Sequence, residues 1–176
     1  MEKISYTQRI CEDKEKIDRF LNEKRVGTLS MCDKEGRPYG IPVNYIYLEG
    51  KIYIHGMGSG KKNVVLGENP SVCFSVFEEF GTATDPVPCK CDTSYFSVVI
   101  FGKAVPVEKP DEKVRVLAQL LEKFTPGLFK NALSNKFVDK YRSSLDNKAV
   151  AVYCIDPEDL TAKENPINPE CMFKAR

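Results

Sequence analysis

The sequence lacks the residues and motifs that would identify a hydrolase or an enzyme built on a histidine-rich metal site. Its 176 residues include no tryptophan and a single histidine, His55, so a metal cluster made of several histidines is excluded. Neither the GxSxG pattern of serine hydrolases nor the HExxH pattern of zinc proteases is present. No hydrolytic site is therefore predicted.

The chain also lacks an excess of charge of one sign and a long apolar run. Its 26 basic and 25 acidic residues give a net charge of +1, whereas nucleic-acid-binding proteins usually have a strong basic excess. No run approaches the roughly 20 apolar residues that cross a bilayer. The N-terminus, MEKISYTQRICEDKEK, has no apolar core and is not a signal peptide. We therefore expect a cytoplasmic protein with no nucleic-acid partner and no membrane partner.

The seven cysteines do not form a recognisable metal or disulfide pattern. An unexported protein keeps its cysteines reduced, and Cys32, Cys73 and Cys154 lie in apolar runs where we expect small core residues. Cys89 and Cys91 form the one close pair, but a zinc site would need CxxC spacing and further ligands. We predict no metal.

The most informative stretch of the sequence runs from Pro38 to Pro70. The segments Tyr39 to Leu48 and Lys51 to His55 alternate as strands do, and Glu49-Gly50 between them is typical of a tight hairpin turn. A glycine-rich loop follows, with the sequence GMGSGKK, and a short helix is predicted to begin at Asn63.

A strand, a glycine-rich loop and a helix start are the parts of an anion site. Glycines allow the backbone to approach a phosphate, the first N–H groups of the helix point towards it, and Lys61 and Lys62 add full charge. The loop is not a P-loop, because Gly60-Lys61 is followed by Lys62 and not by serine or threonine. A phosphate site is one interpretation, and a surface loop with solvated lysines is the other.

The remainder of the chain predicts an α+β domain, an antiparallel barrel of about six strands with three or four peripheral helices. Gly102 is expected to mark a bulge or a bend, and residues 1–176 are predicted to form a single domain. The predicted helices are Asp13 to Lys24, with a stripe of Ile17, Phe20 and Leu21; a helix from Pro110, with Val114, Leu117, Leu121 and Phe124 on one side; and Leu128 to Tyr141. The predicted strands are Arg25 to Met31, Ser71 to Phe77, Tyr95 to Val107 and Ala149 to Ile155. The last of them is predicted to end at Asp156-Pro157. Glu78 to Asp92 is predicted to be a long loop, and the tail from Thr161 is predicted to be loosely specified.

Several short motifs resemble one known family. They are Pro42-Val43-Asn44-Tyr45, Ile52-Tyr53-Ile54-His55, Gly60 with Lys62, Asn69-Pro70 with Val72-Cys73-Phe74, and Tyr95-Phe96-Ser97-Val98 leading to Gly102-Lys103-Ala104. Together they resemble the pyridoxamine 5′-phosphate oxidase-like flavin-binding family, and most of all its nitroimidazole-reductase-like branch. The resemblance covers about residues 9–163. It implies a six-stranded split β-barrel that binds FMN and holds the FMN phosphate in the glycine-rich loop.

The resemblance also implies which residues contact FMN. Lys61 or Lys62 would hold the phosphate, and the main chain from Ile41 to Asn44 would meet the polar edge of the ring. The resemblance places His55 near the FMN as a candidate catalytic residue. The alternative is that His55 is a structural histidine at the end of a strand. Relatives often have an aromatic residue at the position of Cys91, so a ring that covers the flavin is absent here. The predicted cofactor-binding residues are Ile41, Pro42, Val43, Asn44, His55, Ser59, Gly60, Lys61, Lys62, Tyr95, Ser97 and Val98.

Two functions are compatible with these residues. The first is an FMN-dependent oxidoreductase that reduces a small acceptor, such as a nitro-aromatic or quinone-like compound, with a reduced nicotinamide as a possible donor. The second is a non-catalytic flavin- or haem-binding protein on the same barrel, in which His55 could be an axial ligand. The apolar run from Val98 to Phe101 further predicts a homodimer, and the resemblance places the flavin between its subunits, with Ser97 of one chain approaching the ring bound by the other.

Overall fold

The computed structural model describes residues 6–130, 133–166 and 168–174. Within them, six antiparallel strands close into a barrel in the order β1-β2-β3-β6-β5-β4, with β4 pairing back onto β1. The predicted α+β class and the six-stranded split β-barrel are confirmed. The strands are β1 (Val26–Cys32), β2 (Pro38–Leu48), β3 (Lys51–Gly56), β4 (Ser71–Ala83), β5 (Asp92–Pro106) and β6 (Ala151–Asn165).

Four α-helices lie outside the barrel in the part of the chain described: α1 (Lys14–Glu23), α2 (Lys61–Glu68), α3 (Pro110–Phe124) and α4 (Asn135–Lys140). No helix there is long and apolar enough to span a membrane. The α1 helix matches the prediction: Asp13 accepts a hydrogen bond from the Lys16 N–H at 3.0 Å, and the predicted stripe is buried.

The helical region after Pro110 agrees with the prediction only in its first helix. Val116 and Leu120 are the most buried residues of α3, while the predicted stripe of Val114, Leu117, Leu121 and Phe124 is half-buried on one side of the helix. The helix predicted from Leu128 to Tyr141 is wrong: 128–130 form turns, residues 131–132 lie outside the described chain, and α4 has only six residues. It begins where the Ser134 hydroxyl accepts from the Phe137 N–H at 3.2 Å, because a serine cap competes with helix continuation.

The hairpin of β4 and β5 is longer than predicted. The ladder continues through Gly81↔Ser94 to Ala83↔Asp92, so the predicted loop from Glu78 to Asp92 is wrong and the connection is residues 84–91. A bulge between Glu79 and Gly81 interrupts the alternation of this segment, which is why its sequence does not look like a strand.

The last strand continues through the proline that was predicted to end it. Gly102 pairs with Pro157 while Phe101 pairs with Asp159, so Glu158 is an extra residue in β6. The ladder shifts register at this bulge, which accommodates a residue without an N–H. The predicted bulge at Gly102 is confirmed, while the strand end at Asp156-Pro157 and the loose tail from Thr161 are wrong.

The barrel interior holds the hydrophobic core. Cys32, Cys73 and Cys154, predicted to lie in the core, are only half-buried, and the buried cysteine is Cys11. They alternate with core residues and so occupy the outer face of their strands. The fully buried side chains include Leu29, Tyr45, Ile52, Ile54, Phe74, Val98, Ile100 and Ile155.

Candidate functional site

Lys62 places a partly dehydrated positive charge at the end of β3. Its Nζ lies 3.4 Å from the main-chain oxygen of His55 and 2.6 Å from where a Cβ on Gly56 would stand. The side chain is half-buried, and this burial lowers the pKa of Lys62. No carboxylate of the described residues lies within salt-bridge distance of the ammonium. The ammonium group is therefore available to an anionic ligand.

The start of α2 adds main-chain donors to this charge. Its N-cap is Gly60, at φ 109°, and no described side chain caps the helix. The Asn63 N–H donates to the Gly60 carbonyl at 3.1 Å, whereas the N–H groups of Lys61 and Lys62 have no capping side chain among the described residues. The Lys61 Nζ lies 4.4 Å from the centre of the Tyr39 ring. The helix start therefore lies alongside β2, and the helix begins two residues before the predicted Asn63 because Gly60 terminates the loop.

The glycine-rich loop is held by the segment that leads into β6. The Ser59 hydroxyl donates to the Asp146 carboxylate at 2.7 Å, and this hydrogen bond is the main cause of the lowered pKa of Asp146. The Asn63 amide donates to the Met57 carbonyl at 2.9 Å. These two bonds fix the conformation of the loop at both ends.

His55 lies at the end of β3 and faces a groove. The His55 side chain has an exposed surface, but protein atoms around the imidazole displace part of its hydration water. This desolvation lowers the pKa of His55, and the positive charge of Lys62 lowers it further. The imidazole is therefore mainly neutral at pH 7, with one N–H donor and one acceptor nitrogen. Because Tyr45 pairs with Ile54, Asn44 lies beside His55 on the outer face.

One edge of β2 is left open beside these groups. β2 pairs with β1 from Pro38 to Asn44, but its pairing with β3 begins only at Tyr45. Within the structure described, residues 39–44 therefore have main-chain groups with no neighbouring strand on that side. Ile41 and Val43 pack against the core, while Pro42 and Asn44 are exposed.

The predicted residues on β5 are not part of this cluster within one chain. β2 and β5 are separated by β1 and β4, which puts Ser97 about 14 Å across the sheet from Asn44 at the usual strand spacing. Tyr95 and Ser97 are half-buried on the outer face, and the Ser97 hydroxyl lies 3.5 Å from the Lys163 carbonyl. The Val98 side chain lies in the core with 0% exposed, so it cannot contact a ligand on the outer face.

An apolar groove continues from Asn44 and His55 to the helices. It has a volume of about 470 Å³ and lies between the open end of β2, α3 and α4. Its walls are formed by Leu117, Leu120, Leu121, Phe124, Leu133, Phe137, Val138, Tyr141 and Val150. A pocket of this size suits a small molecule.

The described residues contain no group of three or more His, Cys, Asp or Glu side chains arranged to hold a metal ion. The Cys91 Sγ accepts a hydrogen bond from the Asp85 N–H at 3.4 Å, and the Cys91 N–H donates to the Pro88 carbonyl at 3.1 Å. That Cys89 and Cys91 bind no metal stays a prediction.

A family model described as pyridoxamine 5′-phosphate oxidase matches residues 13–164. The chain belongs to the pyridoxamine 5′-phosphate oxidase family. The match spans the barrel from α1 to all but the last residue of β6, and it includes the glycine-rich loop and the open edge of β2. No curated protein sequence gives a significant match.

Solved structures share the family fold. A candidate 5-nitroimidazole antibiotic resistance protein from Bacteroides thetaiotaomicron is 23% identical, with a TM-score of 0.67, over 88% of this chain and 85% of that chain. The flavocytochrome Anf3 from Azotobacter vinelandii is 19% identical, with a TM-score of 0.76, over 96% and 76%. An FAD- and heme-binding protein from Mycobacterium smegmatis is 18% identical, with a TM-score of 0.72, over 92% and 77%. At these identities the similarity shows the fold.

The residues of this family member fit a phosphorylated flavin. Lys62 and the uncapped start of α2 match an anionic group, and the open edge of β2 offers main-chain donors and acceptors to the polar edge of a ring. The Asn63 amide oxygen is buried with no donor among the described residues, so a ligand hydroxyl would satisfy it.

Sequence reasoning missed two parts of the site. Asp146 was not singled out, because a lone aspartate 87 residues from Ser59 gives no local signal. The groove was also missed, although its α3 wall was visible as an apolar stripe that includes Leu117, Leu121 and Phe124. The stripe predicted only that these residues share one side of the helix, and the position of α4 shows that this side faces a groove.

Proposed function

We propose that this protein is an FMN-dependent oxidoreductase that reduces a small acceptor such as a nitro-aromatic or quinone-like compound. The observation that carries the proposal is the Lys62 ammonium, which is half-buried beside an uncapped helix start and has no carboxylate partner among the described residues. Such a site costs free energy unless an anion binds it. The family match supports a flavin as the source of that anion.

In this proposal each part of the chain has a distinct task. Lys62, with Lys61 and the first N–H groups of α2, holds the phosphate. The open edge of β2 and the Asn44 amide orient the ring. When it is bound, FMN supplies the redox chemistry. His55, neutral at pH 7, can donate one hydrogen bond near the ring or the acceptor.

We also propose a homodimer. Phe77 and Phe101 lie on the outer face of β4 and β5 with 62% and 39% of their surface exposed, and exposed apolar surface of this kind favours association. A two-fold arrangement would bring Ser97 and Tyr95 of one chain towards the ring held by the other, which the 14 Å separation within one chain does not allow. Sedimentation velocity with and without FMN tests this, and a monomer that binds FMN with unchanged affinity on dilution would contradict it.

The second candidate is a non-catalytic flavin- or haem-binding protein. Its specific support is His55, since a neutral imidazole facing a 470 Å³ apolar groove could ligate a haem iron. Two of the solved structures are named for haem as well as for flavin chemistry.

The visible spectrum of the purified protein separates the two candidates. A flavin gives two bands in the near ultraviolet and blue, whereas haem gives one intense Soret band. A turnover screen then pairs reduced nicotinamides with nitro compounds, quinones and free flavin. Consumption of donor only with FMN and an acceptor supports the oxidoreductase, while stoichiometric haem without turnover supports the alternative.

A further inference from the structure

We propose that the groove between α3 and α4 is the acceptor site and that it selects uncharged aromatic compounds. Its volume of about 470 Å³ is that of a small-molecule pocket, and it opens onto Asn44 and His55 beside the open edge of β2. Its role as an acceptor site rests on the proposed flavin-dependent reduction, whereas its selectivity for uncharged ligands does not.

None of the described residues that line the groove is Asp, Glu, Lys or Arg. Its polar groups are the Asn44 amide, the His55 imidazole and the Tyr141 hydroxyl, and the other lining residues are Leu, Val and Phe. The lowered pKa of His55 keeps the imidazole mainly neutral at pH 7. Lys62, which lowers the pKa of His55, and Arg25, whose guanidinium lies 4.6 Å from the centre of the Phe124 ring, are both outside the lining. A ligand that enters therefore loses water without a counter-ion in contact with it, so a carboxylate, sulfonate or phosphate is disfavoured. A reduced nicotinamide nucleotide is disfavoured here for the same reason.

Two aromatic rings line the groove at α4 and at the residue that ends it, Tyr141. Phe137 and Tyr141 are stacked with ring centres 5.9 Å apart and planes at 21°, and they expose 52% and 50% of their surface. Leu121 and Phe124 of α3 form another wall. A groove lined by rings and leucines favours a flat apolar ligand, which buries apolar area against them.

Asn44 and His55 lie at the end of the groove that meets the barrel. Asn44 and His55 can each donate an N–H, and a nitro group or a quinone carbonyl accepts such bonds. The ligand is therefore oriented with its oxygen atoms towards the open edge of β2 and its ring between the helices. This places the reducible group on the side where the ring of a flavin is proposed to lie.

The test compares two probes that share one ring system, 1-nitronaphthalene and 5-nitronaphthalene-1-sulfonate, by calorimetric titration of the flavin-free protein. We expect the neutral probe to bind at least about tenfold more tightly than the sulfonate. The Phe137→Ala variant should weaken binding of the neutral probe by about tenfold. Phe129→Ala is the matched control, because Phe129 is also a half-exposed phenylalanine, 50% against 52%, and does not line the groove.

The outcomes separate this proposal from the proposed function. Equal affinity for the two probes, or an equal effect of Phe137→Ala and Phe129→Ala, would overturn the groove assignment. Loss of FMN binding in Phe137→Ala without any binding of the neutral probe would also overturn it, by placing the flavin in the groove. Selective binding of the neutral probe in a protein that binds no FMN would support the groove and refute the proposed function. Residual sulfonate binding that disappears in Lys62→Met but not in Phe137→Ala would locate that probe at the glycine-rich loop and support the exclusion of charge from the groove.

Discussion

Replacing Lys62 with methionine should have opposite effects on the free protein and on its FMN complex. In the free protein, burial lowers the pKa of Lys62, so the fold disfavours the charged form. This cost is fully present below the folded-state pKa and is relieved as the pH rises through it towards the unfolded value. Methionine has a similar length and no charge, so the variant should be at least as stable as the parent at neutral pH.

In the complex, the same substitution removes a charge-assisted contact. A hydrogen bond to a charged group contributes about 1.5–3 kcal/mol, which corresponds to roughly 10- to 150-fold weaker FMN binding. Riboflavin has no phosphate, so its affinity should be unchanged. The magnitude applies only if Lys62 reaches the phosphate from its position beside Gly56 and the carbonyl of His55.

Fluorescence titration of flavin into the flavin-free protein measures both affinities, and thermal or urea unfolding measures stability. Lys61→Met is the matched control, because Lys61 is the adjacent residue, is exposed, and has its ammonium over the Tyr39 ring. Lys62→Met should lose more FMN affinity than Lys61→Met. An FMN affinity within about twofold of the parent, or an equal loss of riboflavin affinity, would refute the assignment of the phosphate to Lys62.

Four further predictions concern other parts of the chain. NMR titration of the single histidine should give His55 a pKa below 6.5. This pKa should rise in Lys62→Met without reaching 6.5, because burial is the larger cause of the lowered value. A His55 pKa that does not change in Lys62→Met would contradict the effect of the Lys62 charge. Since the lowered pKa of His55 removes stability as the pH falls through 6.5, a His55→Gln variant should lose less stability between pH 7 and pH 5 than the parent in urea unfolding. Gly102→Ala should cost about 1–3 kcal/mol of unfolding free energy, because the added Cβ would overlap the β6 backbone. Gly67→Ala is the control: a Cβ there has open space, so this variant should stabilise α2 by up to about 1 kcal/mol. Equal effects of the two substitutions on the unfolding free energy would show that the bulge adapts to the added Cβ. Phe77→Glu should convert a dimer to a monomer in sedimentation velocity without unfolding the barrel, since the side chain is 62% exposed.

The local chemistry of the chain could be predicted from its residues. Asp13 before an apolar stripe predicted α1, Glu49-Gly50 predicted the β2–β3 turn, and Gly102 predicted the bulge. These features depend on contacts within a few residues. The glycine-rich loop with two lysines was visible for the same reason, and the structure places its positive charge at an uncapped helix start.

Features that depend on distant parts of the chain could not be predicted in this way. The strand β6 passes Pro157 because a bulge opposite Gly102 accommodates the missing N–H, and no local pattern encodes that partner. The burial of Val98 inside the barrel follows from the register between β5 and β6. An apolar run has two faces, and pairing alone decides which of them points inward.

The sequence by itself determined the class of the fold, the family and the stretch that carries the candidate anion site, because short-range pattern and turn chemistry specify them. Only the tertiary structure decided that Lys62 has no acidic partner among the described residues, that Asp146 holds Ser59, and that the apolar face of α3 lines a groove. Each of these depends on which atoms lie within a few ångströms across long separations in the chain. That proximity sets the desolvation and the charge of a site, and it arises only when the barrel closes.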